Sequence, residues 1–224
     1  MEEVKLSIKN INKSYGNNII FKGFNIEFYQ SKVNCILGKS GCGKGTLLNI
    51  ISGIIKNDDG EINILKDLGV SYIFQEDRLI EWLTVEENIK LVIKKYYNKS
   101  EIDKLCDKYL ELVGVYNHEK YYPQMLSGGL RQRVNIARAF IYPSSVIIID
   151  EPFKSIDIKN KKIIDNLKEI LGKEKRTVIF VTHDIEEAIF LGEKIFILGN
   201  SPIEIKNIIN NCENLEKDDV SMLI

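Results

Sequence analysis

The chain has 224 residues and a mass of 25.7 kDa, the size of one large domain or of a domain carrying an insert. Hydrophobic residues make up 44% and charged residues 28%, ordinary for a chain that buries a sizeable core, which excludes a disordered or collagen-like polymer. Lys+Arg at 31 against Asp+Glu at 32 leaves a net charge of −1, so no basic field points to nucleic acid.

The first ten residues, MEEVKLSIKN, are acidic and then alternate, unlike a secretion signal, and no apolar run approaches the ~20 residues of a membrane helix. A cytoplasmic protein is expected, with any membrane role reached through a partner. Leu6 and Ile8, with Val4, share one face of an opening strand, and Asn25–Phe28 repeats the alternation. Val33–Leu37 is a short apolar run ending in glycine, and Lys44–Ile51 follows with a helical pattern. Short strands are expected at Glu61–Leu65 and Val70–Phe74. From about residue 76 to 142 the pattern is helical. Thr84 with Glu87 forms a capping box ahead of Ile89, Val92 and Ile93. Ser100 with Asp103 marks a second helix start before Leu105, Leu110, Leu112 and Val113. Strand and helix then alternate through Val146–Ile149, Ile158–Leu171, Thr177–Val181, Ile185–Leu191 and Lys194–Leu198. This predicts an α/β fold with a mostly parallel sheet, interrupted by a helical insert. Cys35, Cys42, Cys106 and Cys212 are scattered with no C-x-x-C, so reduced thiols are expected rather than a zinc site or disulfide framework.

Three motifs carry chemistry. The run Gly38-Lys39-Ser40-Gly41-Cys42-Gly43-Lys44-Gly45-Thr46 lies between a strand and a helix. Glycines let backbone N–H groups wrap phosphates, a lysine supplies charge, and a helix N-terminus stands behind them. The same run would also serve as a plain glycine-rich turn. Val146–Ile149 delivers Asp150 and Glu151 at the end of a buried strand. Beside a phosphate loop, the first suits Mg²⁺ and the second the attacking water; alone, the pair reads as a surface turn. Leu126-Ser127-Gly128-Gly129-Leu130-Arg131-Gln132-Arg133 opens a helix through Ala137, Arg138 and Ala139, a second anion-binding N-terminus or a helix cap with a basic first turn.

With these three runs the chain resembles ATP-binding subunits of ABC transporters over nearly its whole length. Ser127-Gly128-Gly129 is similar to the family signature and Asp150-Glu151-Pro152 to its Walker B end. Tyr15 stands where an aromatic stacks on adenine, Gln75 at the Q-loop glutamine, Asp157 at the acidic place of the D-loop, and His183 at the switch histidine. The resemblance implies a P-loop NTPase core with a mostly parallel sheet, an N-terminal antiparallel β subdomain and an inserted helical subdomain. Residues 1–224 would form one ABC ATPase domain, with 1–75 and 143–224 as catalytic core and 76–142 as the insert bearing the signature. ATP would bind on Tyr15, Gly38 through Thr46 and Asp157, and on the Ser127, Gly128 and Gly129 of a second cassette, paired head to tail in a homodimer. Mg²⁺ would sit on Asp150 and Gln75. Catalysis would use Lys44, Glu151 as base, His183 on the γ-phosphate, and Gln75 as reporter to the membrane subunits. Implied partners are two permease subunits and, indirectly, a substrate-binding protein, with the chain peripheral on the inner face of the cell membrane. The run Gln75–Val85 is similar to the nitrate/sulfonate/taurine importer group, with Glu81 in place of a proline before Trp82. Trp82 would dock the permease or pack in the core.

The P-loop departs from the family at two places. Lys39 replaces the usual proline, and Gly45 replaces the Ser or Thr whose hydroxyl ligates Mg²⁺. Thr46 lies about 100° further round the helix, and the resemblance implies a role for it near the α-phosphate. Three readings follow: a transport ATPase, an ATP-gated dimerisation module with weak or no hydrolysis, and an ABC protein acting on DNA or ribosomes. The single cassette and short insert count against the last.

Overall fold

The computed structural model describes residues 3–64, 69–151, 165, 168–172, 175–210, 212, 215 and 217–223. Two compact units emerge: residues 1–67, 148–150 and 175–224 form the first, residues 68–147 and 151–174 the second.

In the first unit, β1 (Val4–Tyr15) and β2 (Asn18–Tyr29) form an antiparallel hairpin, and β4 (Asp59–Ile64) pairs on the other side of β1. The hairpin turns on Gly16, whose φ of +58° suits a residue without Cβ. Leu6, Ile8, Ile11, Phe21, Phe24 and Phe28 are buried, each worth roughly 1.5–3 kcal/mol on leaving water. The parallel strands β3 (Val33–Leu37), β7 (Thr177–Thr182) and β8 (Lys194–Leu198) follow the expected bounds to within a residue. All three are buried along their length, as parallel strands covered on both faces must be. The edge of Phe28 meets Phe196, with ring centroids 5.7 Å apart. Helix α1 (Lys44–Ile51) packs through Leu47, Leu48, Ile50 and Ile51. Beyond the last expected strand the chain adds β9 (Ile205–Asn210), antiparallel on β8, and the short helix α6 (Lys217–Ser221).

The second unit carries β5 (Val70–Ile73) and, among its described helices, α2 (Val85–Leu91), α3 (Lys99–Leu112) and α4 (Gly128–Ile141). Thr84 caps α2 with Glu87, as its spacing predicts. The start of α3 corrects the expectation: Asn98 and Glu101 form the capping box, two residues before Ser100 and Asp103. An asparagine carbonyl accepts from the N3 amide as well as a serine hydroxyl does, so both pairs satisfied the pattern. Buried Asn88 holds the preceding turn: its Nδ2 donates to the carbonyls of Ile80, Leu83 and Thr84, and its Oδ1 accepts from the Ile80 amide at 2.8 Å. That turn carries Trp82, 78% exposed, which removes core packing as its role. Strand β6 (Val146–Asp150) is divided between the units after Ile147. The helix expected over Ile158–Leu171 falls mostly outside the described residues; 168–172 are helical.

Candidate functional site

Leu37 ends β3 and Lys44 begins α1. The six residues between them turn on Gly41 at φ +79° and Gly43 at φ +110°, conformations that a side chain opposes. At Gly43 space forbids one as well, because a Cβ there would stand 2.6 Å from Ile203 Cδ1 and 2.8 Å from Ile20 Cγ2. Gly43→Ala is therefore expected to destabilise the fold by about 2 kcal/mol. An unchanged urea midpoint would show that the loop has another conformation to adopt.

Lys44 is 5% exposed. Its Nζ donates to the Gly38 carbonyl at 2.6 Å and the Lys39 carbonyl at 2.9 Å. An ammonium carries three donors, so both bonds can persist while a third reaches a phosphate. The first N–H groups of α1 have no intrahelical acceptor. Gly43 offers them no side-chain cap, and the first turn holds no acidic residue. Other helices fill this place themselves. Thr84 and Asn98 cap α2 and α3, Asp184 caps α5 (Ile185–Leu191), and each of these first turns carries Glu. Among the α-helices whose first turns are described, α4 alone resembles α1, since its first turn is also free of acid and Ser127 Oγ makes one cap bond of 3.4 Å, to Leu130 N. Two helix ends are thus left positive toward an outside anion.

The rest of the first unit's candidates stand at or just beyond strand ends. Leu37 is in register with Thr182, so the glycine loop and His183 leave neighbouring strands at the same level. His183 is exposed and pinned on both sides. Buried Thr182 donates from Oγ1 to Glu187 Oε2 at 2.5 Å, and Asp184 Oδ1 accepts from the amides of Glu186 and Glu187. Asp150 ends β6, which stands next to β7 in the sheet. Open α/β sheets bind ligands beyond such carboxyl ends. Tyr15 closes β1, 47% exposed, with Lys13 Nζ 5.4 Å from its ring centroid.

In the second unit, Gln75 is exposed in the loop after β5, and Ser127 and Gly128 are exposed at the start of α4. Glu151 is half-buried with φ +43°, a left-handed backbone uncommon outside glycine. Asp157 and Pro152 lie outside the described residues. The sequence offered no sign of what holds the Gln75 loop. Arg131 makes a two-pronged bond to Asp77, from Nε to Oδ2 at 2.7 Å and from Nη2 to Oδ1 at 3.0 Å. Nη2 also reaches Glu81 Oε1 at 2.5 Å. Burial works to raise the Asp77 carboxyl, but the Arg131 hydrogen bond and charge override it and hold it below the ordinary carboxylate value. Burial pushes the Cys106 thiol up to about 12 and the Cys212 thiol up to about 11, away from the reactive thiolate form.

Magnesium bound with a nucleotide keeps several waters and takes one or two carboxylates besides phosphates. Asp150, in the first unit, and the Gln75 amide oxygen, in the second, are each donors of that kind. Among the described residues no three His, Cys, Asp or Glu side chains gather into a closed cage. At Gly45 a Cβ would meet nothing within 4 Å, so a hydroxyl-bearing side chain has room.

The family model for ABC transporters matches residues 21–154. The chain is 39% identical over 214 residues to an aliphatic sulfonates import ATP-binding protein of Bacillus thuringiensis subsp. konkukian, covering 91% of this chain and 83% of that protein. It is 35% identical over 219 residues to an ABC transporter ATP-binding protein of Methanocaldococcus jannaschii, covering 92% and 82%. Among solved structures it is similar to a dimeric ATP-binding cassette in a post-hydrolysis state bound to ADP and Pi. That match has a TM-score of 0.82 at 32% identity and covers 94% of this chain and 100% of the other.

Proposed function

The chain belongs to the ABC transporter family, and from that premise we propose that it is the ATPase subunit that energises import of a small anion of the nitrate, sulfonate or taurine type. One observation carries the nucleotide reading. Among the α-helices whose first turns are described, the two free of acid there are the one behind Lys44 and the one opened by Ser127. A phosphate chain gripped by Lys44 and the loop amides of one copy, and by Ser127, Gly128 and Gly129 of a second, uses both ends. ATP then joins two copies, and hydrolysis separates them. The chemistry is phosphoryl transfer to water, driven by positioning and charge. Glu151 takes the proton of the attacking water, His183 stabilises the γ-phosphate, and Asp157 and Tyr15 complete the nucleotide contacts. Bound magnesium neutralises charge on the phosphates.

No helix among the described residues is long and apolar enough to cross a membrane. The membrane partner is a pair of permease subunits, met through the second unit. Exposed Trp82, fixed by the Asn88 bonds, and Met125, 59% exposed, offer the apolar contact. A substrate-binding protein delivers the solute to that permease. The anion class is supported by the likeness to the Bacillus sulfonate import protein and by the run Gln75–Val85. It is tested by uptake of aliphatic sulfonate, taurine and nitrate into cells holding the chain and its permease. Uptake of none of the three would overturn the class.

A second reading rests on Gly45: an ATP-gated dimerisation module with little hydrolysis. Gly45→Ser separates the two. Its side chain meets open space, so Mg-dependent phosphate release is expected to rise by about threefold to tenfold, with the wild type already above a Glu151→Gln blank. An unchanged rate would show that water serves the ion as well as a hydroxyl does.

A further inference from the structure

Signature and Q-loop are fastened to one another inside the second unit. Arg131 lies one turn into α4, its amide bonded to the Ser127 carbonyl at 2.9 Å. Its guanidinium spans Asp77 and Glu81 on the segment that follows Gln75. A turn further on, Asn135 Nδ2 donates to the Phe74 carbonyl at 3.3 Å. Arg138 donates to the carbonyls of Asp77 and Arg78, each at 3.0 Å. Gln75 is thus bracketed by residues that α4 holds. The bracket is stiff: Phe74 lies between Tyr72, stacked at 3.9 Å, and the Arg78 guanidinium at 3.8 Å. Arg78 itself stands at φ +45°, a conformation that persists only where its surroundings over-determine it.

We propose that Arg131 is a positioning residue, a strut that sets the Gln75 loop and the Ser127 end of α4 in one fixed relation through Asp77 and Glu81. The proposal rests on the nucleotide reading above. With the strut in place, a shift of Gln75 toward the γ-phosphate of its own nucleotide carries along the signature that must meet the partner's nucleotide. A planar fork suits this task because two parallel bonds fix orientation, where a point charge would only attract.

The test compares wild type, Arg131→Gln, Asp77→Asn and their double variant, with Lys120→Gln as control. That control removes an ion pair with Glu86 in the same unit but touches neither motif. ATP affinity of the monomer should stay within about twofold, since Lys44 and its loop belong to the other unit. In Arg131→Gln, kcat should fall about tenfold and KM change by less than about twofold. ATP-driven dimerisation, measured with Glu151→Gln added, should weaken by a similar factor. The double variant should be no worse than the worse single one, because the bond can be lost only once. Lys120→Gln should keep wild-type kcat, and Arg131→Lys should recover part of the loss. Unchanged kcat and dimerisation in Arg131→Gln, beside an active wild type, would overturn the strut alone. So would a double variant whose loss is the product of the two single losses. A wild type that binds no ATP would overturn the nucleotide reading, and the strut with it.

Discussion

Glu151→Gln is expected to cut ATP turnover by about 10²–10⁴-fold while ATP binding persists, the usual loss when a positioned general base is removed. Glutamine keeps the length and shape of the side chain and loses only the proton acceptor. It places no new demand on the backbone, which already stands at φ +43° at this residue. That conformation costs of order 1 kcal/mol or more and needs support. Val146–Ile149, all buried, supply it by fixing the strand up to Asp150. Strand and turn together deliver two adjacent carboxylates, which in the proposed function serve the ion and the attacking water. The variant should therefore accumulate an ATP-bound dimer, because the step that separates the two copies is blocked. Phosphate release and sizing in ATP check both halves. Full turnover in the variant would remove Glu151 from the reaction. Equal low rates in wild type and variant, with ATP bound in both, would instead favour the gated module.

Legibility in the sequence followed the physical cause of each element. β3 and β8 are short, mostly apolar runs bounded by turns, and α1 and α5 begin where glycine or Asp184 stops the preceding strand, so their limits could be read directly. The twelve-residue β2 alternates cleanly only from Phe24 onward, the part that holds Asn25–Phe28. Register shifts opposite Ile11 and Lys13 break the period of two earlier in the strand. β9 went unseen because IKNIIN is an exposed edge with no buried face to impose a pattern. The motif residues were legible for another reason: phosphate chemistry demands glycine, lysine and carboxylate whatever the surrounding packing. Gly43 illustrates the limit of that reading. Its type was plain in the motif, but Ile20 and Ile203, which forbid any other residue, come from distant strands and loops. The Arg131 pairs were hidden outright, because Asp77 and Glu81 stand 54 and 50 residues away, beyond any helical or strand period.

Lys44→Met should weaken ATP binding about a hundredfold, the loss of about 3 kcal/mol in charge-assisted bonds to phosphate. Methionine keeps the stem that fills a 5%-exposed site, so the loss falls on the ammonium alone. Two consequences separate this from simple damage to the fold. The Gly38 carbonyl, in a buried residue, loses its donor at 2.6 Å, whereas Lys39 is exposed and its carbonyl can turn to water. Stability without nucleotide should then drop by about 1–3 kcal/mol, less than a collapse of the loop would cost. Lys44→Arg restores the charge but should not restore affinity. A guanidinium is planar and wider, and its fork cannot bond two loop carbonyls and a phosphate from the place of one ammonium. Titration with a fluorescent ATP analogue on the folded variants reads the effect directly. If Lys44→Met bound within about threefold of wild type, the glycine loop and the α1 N-terminus would be holding the phosphates by backbone N–H alone. Lys44 would then be a brace for the loop, and its charge would act in the transition state. A fall in kcat without a fall in affinity would be the sign of that role.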